Sequence, residues 1–130
     1  MTFVAARLQL PAMGQLTTHV LDICAGVPAS GLRIQLVEWP PGATSSAGTV
    51  ATTGPDGRLP APLLSGANLR TGHYLLTFHI ANYFRGRGVV LPQPAFIEEA
   101  VIRIGIADPA QHYHVPLLIS PWSYCVYRGG

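Results

Sequence analysis

The sequence predicts an all-β fold, a two-sheet antiparallel β-sandwich with one short helix. Three observations predict it: apolar residues recur at every second position in short segments, turn-forming residues separate these segments, and the helical pattern is confined to one short stretch. The 130 residues include 14 glycines and 12 prolines, spread along the chain rather than gathered in a linker. This length is typical of one domain. We therefore expect a single domain over residues 15–130, preceded by a disordered lead-in over residues 1–14.

The first half of the chain contains three predicted strands and a short fourth segment. Turn signals end the strands: Gly26 and Pro28 follow the first, consecutive prolines follow the second, and a Gly-Pro-Asp-Gly turn follows the third. Because side chains of a strand alternate between its two faces, each segment can bury one face and expose the other. The predicted segments are Leu16–Asp22, Leu32–Trp39, Gly48–Thr53 and the region around Arg58–Leu63.

Alternation is clearest in the second half. An aromatic and aliphatic stripe falls on one face of a strand, and we place His73 and His79 on the opposite face as surface residues. The stripe consists of Tyr74, Leu76, Phe78 and Ile80. The other elements predicted here are one helical turn over Ala81–Arg87 and strands over Ala100–Ile106, His112–Ile119 and Trp122–Arg128.

The composition limits the classes of partner. Hydrophobic residues make up 48% of the chain and charged residues only 11%, against about 25% charged in an average soluble protein. This excludes intrinsic disorder and indicates that partner subunits cover much of the surface. Eight scattered arginines, without any lysine, and six acids give a net charge of +2. That charge is too small and too dispersed to predict binding to nucleic acid or to an anionic membrane.

The compartment is predicted from targeting signals and cysteine usage. No apolar run approaches the roughly 20 residues that span a bilayer, and the first residues lack the pattern of a signal peptide. Cys24 and Cys125 are isolated, without zinc or redox spacing. Free thiols suit a reducing compartment, so we expect a cytoplasmic protein without a membrane segment.

Histidine and arginine are the residues left to carry chemistry, because the chain has no nucleotide-binding loop and no nucleophile elbow. His112 and His114 are two apart on a predicted strand, so they share a face that either lines a pocket or lies at the surface beside a turn. With His19 they could also ligate zinc, although no Cys, Asp or Glu lies near them in sequence. His19 could instead be a hydrogen-bonded, half-buried histidine, and Arg58 a solvated residue after its turn.

Three separated segments resemble the transthyretin-like family, and specifically its enzymatic branch, the 5-hydroxyisourate hydrolases. The matching segments, in order, are Thr18–Asp22 followed by Gly26–Ala29, then Asp56–Arg58, and then His112–Pro121 running into Tyr127–Gly129. Tyr83–Phe84 and Asp108–Pro109 also match. The resemblance extends from about Leu16 to the C-terminus.

The resemblance implies a homotetramer of two-sheet sandwiches whose active sites lie in a channel between dimers. It implies hydrolysis of 5-hydroxyisourate, the product of urate oxidation, by ring opening to 2-oxo-4-hydroxy-4-carboxy-5-ureidoimidazoline, without a cofactor or metal. The catalytic residues it implies are His19, Arg58 and His114. The substrate-binding residues it implies are His19, Arg58, Tyr127, Arg128, Gly129 and Gly130.

The family has a second, hormone-carrying branch, which provides the alternative function: a non-catalytic protein that binds a small ligand. In that branch the first histidine is a lysine, the second is a threonine, and the Tyr-Arg-Gly tail is absent. This chain has the enzyme residues, His19 and His114, at those positions and keeps the tail. It departs from the enzymes at Gly130, where they end in serine, so we expect an altered rate.

Overall fold

Nine strands and one α-helix make up the regular structure of residues 14–41 and 48–130, which the computed structural model describes. A 3₁₀ turn at Gly66–Asn68 accompanies them. The strands are β1 (Gln15–Asp22), β2 (Val27–Pro28), β3 (Arg33–Trp39), β4 (Thr49–Thr52), β5 (Leu64–Ser65), β6 (Gly72–Phe78), β7 (Ala100–Ile106), β8 (Tyr113–Ile119) and β9 (Tyr124–Val126), and the helix is α1 (Ile80–Gly86).

The strands form two sheets. One has the order β2-β1-β8-β9, with β5 also paired to β1, and the other has the order β4-β3-β6-β7. The predicted two-sheet sandwich is confirmed, but β1 and β8 pair in parallel rather than antiparallel. Parallel neighbours need a long crossover connection, and here the whole second sheet lies between them in the chain. Periodicity reports the face of a strand and not its direction, so the sequence did not predict this pairing.

The core lies between the inner faces of the two sheets. The predicted stripe on β6 is confirmed, since Tyr74 is 3% exposed and Leu76 and Phe78 are fully buried. On the other sheet, alternate residues of β1 and β8 such as Leu16 and Leu117 point into the same core. The intervening residues of these two strands therefore lie on the outer face of the sheet, where the polar side chains discussed below are found.

Several boundaries differ from the predictions. The predicted short helix is confirmed, but α1 spans Ile80–Gly86 and so begins and ends one residue before the predicted Ala81–Arg87. The region after the third strand is not a strand: Arg58 makes only an isolated bridge to His19, and β5 begins at Leu64. The segment Val27–Pro28, interpreted as a turn, forms a two-residue strand against the end of β1. The predicted lead-in lies outside the described residues apart from Gly14.

The two histidines placed at the surface of β6 differ from each other. His73 is exposed, as predicted. His79 is not a free surface residue, because its Nε2 lies 2.9 Å from Oε1 of Gln35 and its Nδ1 lies 3.3 Å from Oε2 of Glu99. In the part of the chain that is described, no helix is long and apolar enough to cross a membrane.

A buried carboxylate joins the end of β1 to the helix. Asp22 is 2% exposed, and its Oδ1 accepts hydrogen bonds from the amides of Cys24 and Ala25. Its Oδ2 accepts a hydrogen bond of 2.9 Å from the hydroxyl of Tyr83 on α1. Burial, together with this bond, raises the pKa of Tyr83 to about 12, so the phenol stays a donor at neutral pH. The bond fixes the helix against the strand that carries His19.

Candidate active site

The candidate site lies on the outer face of the sheet, across the parallel pair β1 and β8. In their register Thr17 lies opposite His114 and His19 opposite Pro116. Thr17, His19 and His114 have the same parity within this register, so all three project from the outer face. The pairing of β1 with β8 therefore brings together residues that lie almost a hundred positions apart in the sequence.

A tight turn presents Arg58 to this face. The carboxylate of Asp56 accepts the amide of Arg58 at 3.0 Å, and the carbonyl of Gly57 accepts the amide of Val20 on β1 at 3.0 Å. Gly57 has a φ of +76°, in the left-handed region that favours glycine. A Cβ at Gly57 would also lie 2.4 Å from the carbonyl oxygen of Val20. Only glycine meets both requirements, so Gly57 fixes the turn that positions Arg58.

His19 is held by the same turn. Its Nε2 lies 3.1 Å from the carbonyl oxygen of Asp56. A carbonyl can only accept, so Nε2 carries a proton and donates it. The half-buried, hydrogen-bonded histidine that the sequence allowed is what the structure contains, and it lies beside Arg58 through their backbone bridge.

His114 is the histidine whose ionisation the fold perturbs. Partial burial lowers the pKa of its imidazole, and the nearby positive charges of Arg58 and His19 lower it further. The ring is therefore neutral at pH 7. Its Nδ1 lies 2.8 Å from the hydroxyl oxygen of Thr17.

The C-terminal tail passes directly beside His114. The amide of Gly129 donates a hydrogen bond of 2.7 Å to the carbonyl of His114. A Cβ at Gly129 would lie 2.9 Å from Cδ2 of His114 and 3.2 Å from Cγ of Pro116, closer than side chains tolerate. A Cβ at Gly130 would meet no atom within 4 Å. The tail therefore needs glycine at position 129 but not at position 130.

These groups surround an open cavity of about 510 Å³. Of the residues predicted for the site, the cavity brings together Arg58, His114 and Gly130, whereas His19 and Gly129 lie next to it. Sequence reasoning missed two further lining residues, Gln15 and Thr17, and it placed His112 on the face of His114 but left it out of the site. Their signal was present, because each has the same strand parity as a residue that was selected.

Tyr127 and Arg128 do not line this cavity. The guanidinium of Arg128 donates to the side-chain oxygen of Gln111 at 3.0 Å and to the carbonyl of His112 at 3.1 Å. It also lies over the ring of Tyr113, 4.2 Å from its centre. Both tail residues instead border a second, apolar cavity of about 380 Å³ between β7 and β9. Within one chain, Arg128 therefore fastens the tail to the start of β8.

The zinc alternative gains no support. Within residues 14–41 and 48–130, no three His, Cys, Asp or Glu side chains are grouped so that they could hold a metal ion. The three histidines considered as ligands, His19, His112 and His114, have only Thr17 and a backbone carbonyl as ring partners. A neutral imidazole and a guanidinium on one cavity are instead suited to accepting a proton and to stabilising a developing negative charge.

Fold and site together define a transthyretin-like β-sandwich with a histidine–arginine site on the outer face of one sheet. A sequence model described as the HIUase/Transthyretin family matches residues 16–129. The chain belongs to this family.

Individual relatives agree with the family assignment. The chain is 53% identical over 116 residues to 5-hydroxyisourate hydrolase 2 of Rhizobium meliloti, covering 89% of this chain and 96% of the relative. It is 30% identical to the solved 5-hydroxyisourate hydrolase of Klebsiella pneumoniae, with a TM-score of 0.73 and coverage of 90% and 99%. It is 40% identical to the solved (S)-allantoin synthase, with a TM-score of 0.86. The match covers 92% of this chain and 45% of that longer chain.

Proposed function

We propose that this protein is a hydrolase that opens the six-membered ring of 5-hydroxyisourate to give 2-oxo-4-hydroxy-4-carboxy-5-ureidoimidazoline, a step of urate degradation. The observation that carries the proposal is that His114, whose pKa is lowered by burial, lines the same cavity as Arg58. The relatives named as hydrolases of this substrate match nearly the whole chain, which supports the same chemistry here.

Hydrolysis of a cyclic amide requires a base for the attacking water. We assign this role to His114, because a lowered pKa keeps its ring unprotonated at neutral pH. Water adds to a ring carbonyl carbon while one of its protons passes to the imidazole. The adjacent carbon–nitrogen bond then breaks, and the departing ring nitrogen takes that proton back from the imidazolium. No cofactor takes part in these reaction steps.

Arg58 is assigned to the negative charge of the reaction. As the carbonyl carbon becomes tetrahedral, its oxygen acquires charge that a guanidinium on the same cavity stabilises. The planar donor fork can also hold the oxygen-rich ring of the substrate. His19 acts as the partner histidine, and its protonated Nε2 is committed to the carbonyl of Asp56. Tyr127, Arg128, Gly129 and Gly130 form the tail that closes the site.

The tail residues enter this proposal in two ways. Gly129 and Gly130 adjoin His114 and the cavity directly. Tyr127 and Arg128 belong to the substrate site through the assembly, because we propose a homotetramer with its sites at the interface between dimers. We further propose that residues 15–130 are the single functional domain and that the enzyme acts in the cytoplasm.

Ultraviolet absorbance tests the function directly. Urate and urate oxidase generate 5-hydroxyisourate in the cuvette, and the protein should accelerate the decay of its absorbance. The substitution His114→Asn should lower the rate by at least ~10²-fold, typical of a general base. His112→Asn is the matched control, since His112 is exposed and lines the same cavity. We expect it to cost much less.

The alternative, a non-catalytic ligand-binding protein, makes the opposite prediction. The protein would then leave the decay of 5-hydroxyisourate unchanged while still binding a small aromatic molecule. Equal losses of rate in His114→Asn and His112→Asn would remove His114 from the role of base, because the control histidine would then matter as much as the proposed base.

A further inference from the structure

Thr17 contacts the catalytic ring, yet the proposed mechanism gives it no role. Thr17 and His114 are direct partners in the parallel register of β1 and β8. Their side chains therefore meet on the outer face through backbone geometry alone. The resulting distance between the Thr17 hydroxyl oxygen and Nδ1 of His114 is 2.8 Å, which is a good hydrogen bond.

The surroundings of the ring make this hydrogen bond decisive for its orientation. The opposite ring edge, at Cδ2, lies beside the tail at Gly129, because a Cβ built on that glycine would be 2.9 Å from Cδ2. Turning the ring over would place Cδ2 rather than Nδ1 against the hydroxyl, so the hydrogen bond to Thr17 would be lost. Thr17 therefore holds the ring with Nδ1 toward β1.

With Nδ1 occupied, Nε2 remains for chemistry. Across the described portion of the chain, no protein group forms a hydrogen bond with Nε2 of His114, while the side chain lines the cavity together with Arg58. The positive guanidinium favours a lone pair rather than an N–H group on a nitrogen that faces the same space. A neutral ring then carries its proton on Nδ1.

We infer that Thr17 is a positioning residue: its hydroxyl oxygen accepts the Nδ1 proton of His114 and so leaves the lone pair of Nε2 free to take a proton from water. The inference rests on the proposed function for its kinetic consequence only. A hydroxyl can either accept a hydrogen bond from Nδ1 or donate one to it. The strand register therefore fixes the contact between Thr17 and His114, but it does not by itself fix which ring nitrogen carries the proton. A histidine is commonly oriented in this way by the partner of its second nitrogen.

The test measures the tautomer itself. Nitrogen-15 NMR of the histidine side chains distinguishes a protonated Nδ1 from a protonated Nε2 in a neutral ring. In the unaltered protein His114 should carry its proton on Nδ1. In Thr17→Val, which keeps the shape and the strand-favouring branched carbon, the protonated-Nε2 form should become populated. Thr17→Ser should restore the original signal.

Kinetics of the same variants provide the second readout. Thr17→Val should lower kcat about threefold to tenfold, the effect of one neutral hydrogen bond, with little change in KM. Thr17→Ser should recover most of that loss. Thr77→Val is the matched control, because Thr77 is a half-buried threonine near the end of β6, on the other sheet. It should leave kcat unchanged.

Two results would overturn the inference: a proton on Nε2 of His114 in the unaltered protein, or a Thr17→Val variant with the tautomer and kcat of the parent. Absence of hydrolysis by the parent would overturn the proposed function instead. The NMR comparison of the parent with Thr17→Val would still decide whether Thr17 sets the tautomer.

Discussion

At the scale of single residues, the proposed chemistry depends on the imidazole of His114, the hydroxyl of Thr17 and the guanidinium of Arg58. Burial and the charges of Arg58 and His19 disfavour the imidazolium form of His114, so its base form persists to lower pH than that of a free histidine. The same charges that stabilise an oxyanion thus also keep the base unprotonated. Arg58 serves both purposes, and two substitutions at this residue can separate them.

Arg58→Gln and Arg58→Lys are predicted to differ in their pH profiles. Both should lower kcat/KM, with about 10²-fold for Arg58→Gln, because neither offers the planar charged fork. Activity requires unprotonated His114, so it falls as pH drops through the pKa of this residue. Arg58→Gln removes a nearby charge and should raise that pKa, which moves the acidic limb of the profile to higher pH. Arg58→Lys keeps the charge and should leave the limb in place.

The measurement is kcat/KM against pH for the parent and both variants, supported by NMR titration of His114. An unmoved acidic limb in Arg58→Gln would show that this guanidinium does not act on His114. Unchanged kinetics in Arg58→Lys would make Arg58 an ordinary surface residue.

At the scale of elements, the tail after β9 carries Gly130, for which the resemblance to the enzymatic branch predicted an altered rate. Gly130→Ser is predicted to be accepted, because a Cβ there meets nothing within 4 Å, and to raise the rate up to about tenfold by adding one hydrogen-bond donor. Gly129→Ala is predicted to lower it, because its methyl group would press on Cδ2 of His114. Steady-state hydrolysis rates of both variants test this pair.

The tail prediction has a clear opposite. A Gly129→Ala variant with the parent rate would mean that the tail does not fix His114. If the parent is inactive and Gly130→Ser does not restore activity, the ligand-binding alternative becomes the better description of the protein.

The attachment of α1 to β1 is predicted to contribute to stability rather than to catalysis. Tyr83→Phe removes the donor to Oδ2 of Asp22, a carboxylate that is 2% exposed and whose other side-chain neighbour, Arg87, is 3.9 Å away. A buried acceptor that loses its partner costs about 1–3 kcal/mol. Urea unfolding should show this loss of unfolding free energy with an unchanged kcat.

Tyr124→Phe is the control for that prediction. Tyr124 is 40% exposed, so loss of its hydroxyl should change the free energy of unfolding by less than about 0.5 kcal/mol. Equal effects of the two substitutions would show that the bond between Tyr83 and Asp22 contributes nothing specific.

How much the sequence could predict also depends on scale. Alternation identified the seven longer strands and the buried stripe of β6, but not the two-residue strands β2 and β5, because a face is a local property of two-residue periodicity. The parallel partnership of β1 and β8 is not local, so the contact of Thr17 with His114 could not be predicted. The orientation of Arg128 depends on Tyr113 and Gln111, which no motif connects to it.

At the scale of the whole molecule, the described residues include several exposed apolar side chains. Trp122 is 59% and Phe96 75% exposed, and their rings lie 6.0 Å apart. Ile23 is 55% exposed at the end of β1. With only 11% charged residues, such a surface favours association between copies over a dispersed monomer. The outer face of the sheet that carries the candidate site also includes half-buried Leu118, which makes this face the expected interface.

Assembly into a tetramer through this face is predicted to be sensitive to one charge on β8. Light scattering of the parent at micromolar concentration should give about four times the chain mass of 13.9 kDa. Leu118→Glu should give a smaller species that remains folded, because water can solvate the carboxylate on an outer face. It should also lose activity if the sites lie between dimers.

Val50→Glu, at a 55% exposed position on β4 of the other sheet, is the control and should keep the parent mass and activity. A parent of 13.9 kDa, or a Leu118→Glu variant with the parent mass, would contradict the assembly and with it the role of the interface in completing the site.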